Sequence, residues 1–119
     1  KVLAANPSVD AKKTTMKYLI KVYSDLGMWD SALRASRQYI QAFPNAPDVF
    51  DQKIQMGIYY VRLEEYDQAI RYFQKLLPEA DSETEAEIQY WIGESYFKMG
   101  QFERAISEFL KVRYLSKPT

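Results

Sequence analysis

The sequence predicts an all-α fold in which helical hairpins repeat along the chain and stack on one another. Three observations predict this class. Apolar residues recur at the i, i+3, i+4 spacing of one helix face. Glycine, proline and short polar residues interrupt that spacing at regular intervals. The whole pattern then returns after 36 or 37 residues, and a fixed period of that length is typical of stacked supersecondary units.

The segment 89–112 shows the pattern most clearly, as two amphipathic helices joined by a tight turn at Gly100 and Gln101. Gly93 and Ala105 carry the smallest side chains of the two helices, so we expect them to face each other where the helices cross. The apolar stripes of the two helices consist of Ile88, Trp91, Ile92, Ser95, Tyr96 and Met99, and of Phe102, Ala105, Ile106, Phe109, Leu110 and Val112.

Two earlier copies of this hairpin precede it. A shift of 36 residues places Gly93 on Gly57 and Ala105 on Ala69, and a further shift of 37 places Ala69 on Ala32. The predicted repeats are therefore 11–44, 48–78 and 82–115, in a single domain covering 1–119, and an irregular helical bundle is the alternative. Residues 1–7 are interpreted as the tail of a preceding helix, and we expect the chain to be part of a longer array.

Local signals set the expected helix bounds, which are about 11–26, 29–42, 49–63, 66–77, 82–99 and 102–115. We expect Ser8 or Asp10 to cap the first helix and Asp48 to cap the third. Ser82 and Glu85 have the spacing of a capping box at the start of the fifth.

Composition excludes several classes of function. Sixteen basic and sixteen acidic residues cancel, which gives no general attraction to nucleic acid, and no apolar run is long enough for direct membrane insertion. The chain has no histidine and no cysteine, so the commonest general base and the best zinc ligands are missing. Its carboxylates fit turns and helix N-termini. We predict no catalytic activity, no metal site and no cofactor.

The repeats resemble the tetratricopeptide repeat family in a pattern of Gly, Tyr, Ala and an aromatic residue. The third repeat carries it as Ile92-Gly93, Tyr96, Gly100, Phe102, Ala105, Phe109 and Pro118. Two positions depart from it: Ile20 stands where the small residue is expected, which predicts a splayed or repacked first hairpin, and Glu64 replaces a turn glycine. The resemblance implies a right-handed α-solenoid whose first helices, the A helices, line the concave face.

The resemblance also implies a binding groove on that face. Its positions correspond here to Lys17, Lys21, Asp51, Ile54, Ile58, Val61, Arg62, Tyr90, Glu94, Phe97 and Lys98. Ile54, Ile58 and Val61 share one stripe, and two interpretations stay open: the floor of a peptide groove, or a surface that another helix or a loop covers.

We therefore expect a non-catalytic scaffold that binds a partner protein or peptide, with no nucleic-acid partner. A structural spacer or self-association module is the alternative. The amino-acid sequences of the third repeat and of the linker around Pro44 and Pro47 are similar to those of bacterial cell-envelope members of the family. This similarity favours the periplasm or cell envelope over the cytoplasm.

Overall fold

The computed structural model describes residues 7–115, with side chains for residues 8–112. This range is helical and contains no strand. A short 3-10 helix, Leu77–Glu79, follows α4. The all-α helical-repeat class predicted from the sequence is confirmed. The helices are α1 (Pro7–Asp25), α2 (Trp29–Ala42), α3 (Val49–Arg62), α4 (Tyr66–Leu76), α5 (Ser82–Lys98) and α6 (Phe102–Leu115).

The helix starts follow the predicted signals with two corrections. α1 begins at Pro7, a residue whose missing N–H suits the first helical position. Ser8 and Asp10 therefore lie inside the helix, and the prediction that either caps it is wrong. Pro7 belongs to α1 rather than to the tail of an earlier helix, and the rest of that predicted tail lies outside the described residues. Asp48 directly precedes α3, as predicted, and its carbonyl accepts from Gln52 N–H at 3.0 Å.

The capping box of α5 lies one residue earlier than predicted. Asp81 Oδ1 accepts from Thr84 N–H at 2.8 Å, and Thr84 Oγ1 accepts from Asp81 N–H at 3.0 Å. The pair Ser82 and Glu85 is therefore not the box. The hydrogen bond from the Thr84 backbone lowers the pKa of the Asp81 carboxyl, because it stabilises the charged form.

Each turn between the two helices of a repeat contains one residue in the left-handed region. Gly27 and Gly100 adopt φ values of 72° and 82°, and Glu64 adopts 63°. Glu64 thus occupies the turn-glycine conformation in the second repeat, although a residue with a Cβ reaches it at a cost in free energy. In the second repeat, packing of the surrounding helices, and not a glycine, therefore holds this turn in its conformation.

The contacts within the chain divide it into two compact units, Lys1–Tyr59 and Tyr60–Thr119, and the division falls inside α3. In unit 1, α1 packs against α2, with Ile20 and Ala32 buried. The first hairpin is therefore repacked rather than splayed. Ser36, which is fully buried, stands at the repeat position that Phe73 and Phe109 occupy later. The first repeat thus combines a large residue on α1 with a small one on α2, the reverse of the third repeat.

In unit 2, α5 packs against both α4 and α6. A Cβ built on Gly93 would lie 2.7 Å from Phe109 Cδ1, so the Phe109 ring fills the space over Gly93. Ala105 is also buried on α6. The predicted contact between Gly93 and Ala105 stays a prediction.

Candidate functional site

The two predicted lysines of α1 both form ion pairs in unit 1. Lys17 Nζ lies 2.8 Å from Asp48 Oδ2, and Lys21 Nζ lies 2.7 Å from Asp25 Oδ2. The hydrogen bond to Asp25 raises the pKa of Lys21. Both lysines stay largely exposed, so their ammonium groups remain accessible to an anionic partner group.

A cleft beside Lys17 brings together further charged residues of unit 1. Its lining includes the predicted site residue Asp51, which is exposed, together with Lys13, Pro47 and Asp48. The Asp48 carboxylate also accepts from the buried Tyr39 hydroxyl at 2.8 Å. Burial, then the hydrogen bond to Asp48, raises the pKa of Tyr39 to about 12. This network fixes the start of α3 against α1 and α2, and so holds the cleft in shape.

The predicted apolar floor on α3 is largely core. Ile54 is 2% exposed and Val61 is 6% exposed, whereas Ile58 is half-buried. A partner cannot reach Ile54 or Val61 without displacing the helices, so these two residues are corrected from groove floor to core. Their i, i+3, i+4 spacing predicted a shared stripe, but spacing alone does not say whether a stripe faces solvent or protein.

The predicted residues of α5 form one exposed surface in unit 2. Tyr90 and Phe97 lie seven residues apart on the same face and are both exposed. Glu94 lies between them and is half-buried, and Lys98 Nζ is 3.9 Å from Glu94 Oε2. An ion pair thus lies beside two exposed rings on α5, and the assignment of these four residues to a groove stays a prediction.

Arg62, the last predicted residue, lies at the end of α3 within unit 2. Its guanidinium carbon is 5.9 Å from the centroid of the Trp91 ring, a distance typical of cation–π contacts. Trp91 is half-buried. Its neighbour Tyr90 meets it edge to face at 5.3 Å. Arg62 thus adds a positive charge beside the aromatic residues of α5.

Two aromatic residues of α6 extend this surface, and the sequence analysis placed both on the apolar stripe of that helix. Phe102 is exposed and lies 5.5 Å from Phe97, and Phe109 is half-buried and lies 5.8 Å from Tyr90, as ring-centroid distances. The two pairs are two helical turns apart on antiparallel helices. We call Tyr90, Phe97, Phe102 and Phe109 the aromatic face. The seven-residue spacing within each helix was the sequence signal that could have placed these four rings on one surface.

Among the residues with described side chains, no group of three acidic, histidine or cysteine residues is placed to hold a metal ion. Within the same part of the chain, no helix is long and apolar enough to cross a membrane. The exposed groups are rings, ammonium groups and carboxylates, which are also found in the cores and rims of protein–protein interfaces.

Comparison with protein-family models identifies the class of protein. Residues 54–77 and 86–117 match one tetratricopeptide repeat model, and residues 10–46 match a second. The chain belongs to the tetratricopeptide repeat family. Repeats of this family generally mediate protein–protein interactions. A search among curated proteins finds no match.

Proposed function

We propose that this chain is a non-catalytic scaffold that binds a partner protein or peptide through the concave face of its A helices, extended in unit 2 by two rings of α6. The observation that carries the proposal is the aromatic face of unit 2, where Tyr90, Phe97 and Phe102 are all exposed. Contiguous exposed apolar surface marks interaction sites on soluble proteins. Aromatic residues supply most of the energetic anchors of interfaces, because they bury large areas at low cost in side-chain entropy.

The spacing of the aromatic face favours an amphipathic helix as the bound form of the partner. Its two ring pairs are seven residues apart, and seven residues of α-helix span about 10.5 Å. A partner helix lying along α5 would present apolar residues at i, i+3 or i+4, and i+7 with the same separation. Glu94, Lys98 and Arg62 would then form a polar rim that fixes the orientation of that helix.

The remaining predicted residues supply a second, polar contact area in unit 1. Lys17, Lys21 and Asp51 lie on or beside α1 and the start of α3, which the family resemblance assigns to the concave side. We propose that they bind charged groups of the partner. Ile58, being half-buried, is kept at the margin of this area. Exposed ion pairs contribute little affinity, so we assign these residues to specificity.

Selection from a random peptide library tests the proposal without a known partner. We expect enriched peptides to carry apolar residues at helical spacing and to lose binding to Phe97→Glu by tenfold or more, because a charge would be buried among rings. Ser107→Glu, which adds the same charge at an exposed position of α6, should bind like the unaltered chain. A library that yields no binders, or binders insensitive to Phe97→Glu, contradicts the proposal.

Two further parts of the proposal have separate tests. The non-catalytic role would be overturned by robust turnover that a single carboxylate substitution abolishes. The amino-acid sequence of the third repeat supports a location in the bacterial cell envelope. Fractionation of cells that produce the full-length protein tests this location. Recovery in the cytosolic fraction alone counts against that location.

A further inference from the structure

The end of unit 2 exposes apolar residues, and three of them, Tyr90, Phe97 and Ile106, have buried counterparts one repeat earlier. Phe102 and Leu110 differ, because their counterparts Tyr66 and Gln74 are half-buried and exposed, respectively. On α6, Phe102, Ile106 and Leu110 lie four residues apart and are all exposed; we call them the α6 stripe. Ile106 is 59% exposed, whereas Ile70, 36 residues earlier on α4, is 5% exposed. The aromatic face shows the same difference, because Tyr90 and Phe97 correspond to the buried Ile54 and Val61. Ile106, Tyr90 and Phe97 therefore lie at repeat positions that are covered one repeat earlier.

The first helix of unit 1 shows the complementary difference. Leu19, Val22 and Leu26 form an exposed stripe on α1, which we call the α1 stripe. Leu19 is 44% exposed, whereas its counterpart Ile92 on α5 is 1% exposed, and the counterpart of Val22 is the fully buried Ser95. α1 therefore exposes apolar residues at the repeat positions where the residues of α5 are buried.

The packing inside unit 2 shows what covers that flank of α5. Gln89 and Gly93 of α5 face α6, where they meet Glu108 and Phe109. Ile88, Ile92 and Ser95 lie on a different flank, and α4 is the other helix of unit 2 that packs against α5. This flank of α5 therefore packs toward α4, the helix that carries Ile70. The α4–α5 contact is thus a contact between the second helix of one repeat and the first helix of the next.

We infer that two copies of this chain associate head to tail, with the α6 stripe of one copy against the α1 stripe of the other. α6 is the repeat counterpart of α4, and α1 is the repeat counterpart of α5, so this contact reproduces the α4–α5 packing between molecules. The incoming α1 also covers Phe97 and Phe102 of the aromatic face. The inference rests on the proposed function, since it names a second copy as a partner for that face.

The helix that meets α1 directly, α6, carries three basic and two acidic residues and so adds no charge attraction. Charge complementarity comes instead from α5, which flanks the proposed contact: α1 carries four lysines and two aspartates, whereas α5 carries four glutamates and one lysine. Opposite net charges on the two helices steer encounter and disfavour the alternative in which two α1 helices meet. Since exposed charges are screened within about 8 Å at physiological ionic strength, association should weaken modestly as salt rises. The apolar stripes should keep most of the affinity.

Complementation between two variants tests the head-to-tail geometry. Ile106→Glu alters the α6 stripe and leaves the α1 stripe intact, and Leu19→Glu does the reverse. Both residues are exposed, so both variants should keep their helix content by circular dichroism. In sedimentation velocity over a concentration series, the unaltered chain should exceed its monomer mass of 14.0 kDa. Each variant alone should stay monomeric, and a 1:1 mixture should form a dimer through the one intact pair of stripes.

Matched controls add the same charge elsewhere on the same helices. Ser107→Glu on α6 and Thr14→Glu on α1 are exposed and lie off the stripes, so both should associate like the unaltered chain. A strictly monomeric unaltered chain overturns the inference, and so does a mixture that stays monomeric. If the chain is monomeric but peptides from the library still bind and depend on Phe97, only the head-to-tail inference fails. If neither association nor peptide binding occurs, the proposed function fails with it.

Discussion

Gly93 lies directly beneath the ring of Phe109, so that a Cβ on Gly93 would come within 2.7 Å of both Phe109 Cδ1 and Cε1. Real Cβ atoms do not approach ring carbons so closely, and one side must move. Phe109 is itself held against Tyr90 at a centroid distance of 5.8 Å. The absence of a side chain at Gly93 therefore sets how closely α5 and α6 approach, and also where one ring of the aromatic face lies.

Replacing this glycine should change stability with a sign that depends on Phe109. Gly93→Ala should lower the free energy of unfolding by up to about 2 kcal/mol, because overpacking costs about 1–3 kcal/mol and alanine recovers about 1 kcal/mol of helix propensity. In a Phe109→Ala background the same change should stabilise by about 1 kcal/mol. Urea unfolding of the four proteins gives the double-mutant cycle. Equal effects in both backgrounds contradict the contact.

The second turn predicts a stabilising substitution. Glu64 adopts a φ of 63°, in the region that glycine enters without a Cβ penalty. Glu64→Gly should therefore raise the free energy of unfolding by about 0.5–1 kcal/mol. Glu65→Gly is the matched control, because Glu65 adopts a φ of −94° and gains nothing from glycine. Thermal unfolding compares the two, and a Glu64→Gly protein less stable than its parent contradicts the expectation.

The network around Asp48 predicts a pH-dependent contribution to stability. The hydrogen bond from Lys17 is the main cause that lowers the pKa of the Asp48 carboxyl, and Tyr39 adds to it. A group whose pKa is lower in the folded state stabilises fully above its unfolded pKa, about 3.9 for Asp, and loses that contribution as the pH falls through its folded pKa. Asp48→Asn should thus be less stable than its parent near neutral pH and equally stable in strong acid.

Urea midpoints measured from neutral pH to about pH 2 check this expectation, since about pH 2 is well below the ordinary pKa of Asp. Asp25→Asn is the control, because the Lys21–Asp25 pair is exposed and should contribute little at any pH. A difference between Asp48→Asn and the parent that persists unchanged in acid would show that the carboxylate charge is not the stabilising feature.

Burial on α3 predicts different costs for neighbouring substitutions. Ile54→Asp should unfold the chain or lower its melting temperature strongly, because it buries an unpaired carboxylate in the core. Ile58→Asp, at a half-buried position, should cost less, since its carboxylate can stay hydrated. Circular dichroism melts measure both. If the two changes lower the melting temperature equally, the side chain of Ile54 is accessible and not part of the core.

The sequence predicted the helices well because their ends carry local signals. The bounds of α2 and α6 agree with prediction, since the turn at Gly27, the linker at Pro44 and the turn at Gly100 act on their own neighbours. The capping box of α5 was misplaced by one residue, because Asp81–Thr84 and Ser82–Glu85 both have capping spacing and only geometry distinguishes them.

The candidate site was predicted less completely, for a physical reason. Ile54 and Val61 have the same helical spacing as Tyr90 and Phe97, and they occupy the same repeat positions. One pair is buried and the other exposed, because exposure depends on which other segments pack against a helix and not on the helix itself. Phe102 was missed for the same reason. Only the folded structure shows which of two equivalent apolar stripes is buried and which is exposed.

The location of a bound peptide on the chain shows whether the aromatic face is the binding site. Backbone amide shifts would be recorded by NMR while a library-selected peptide is added, at a protein concentration where sedimentation shows a monomer. We expect the largest shifts to cluster around the aromatic face, at Tyr90, Glu94, Phe97 and Phe102, and to disappear in Phe97→Glu but not in Ser107→Glu. Saturable shifts confined to the exposed side of α2, around Arg37 and Gln41, would contradict this expectation.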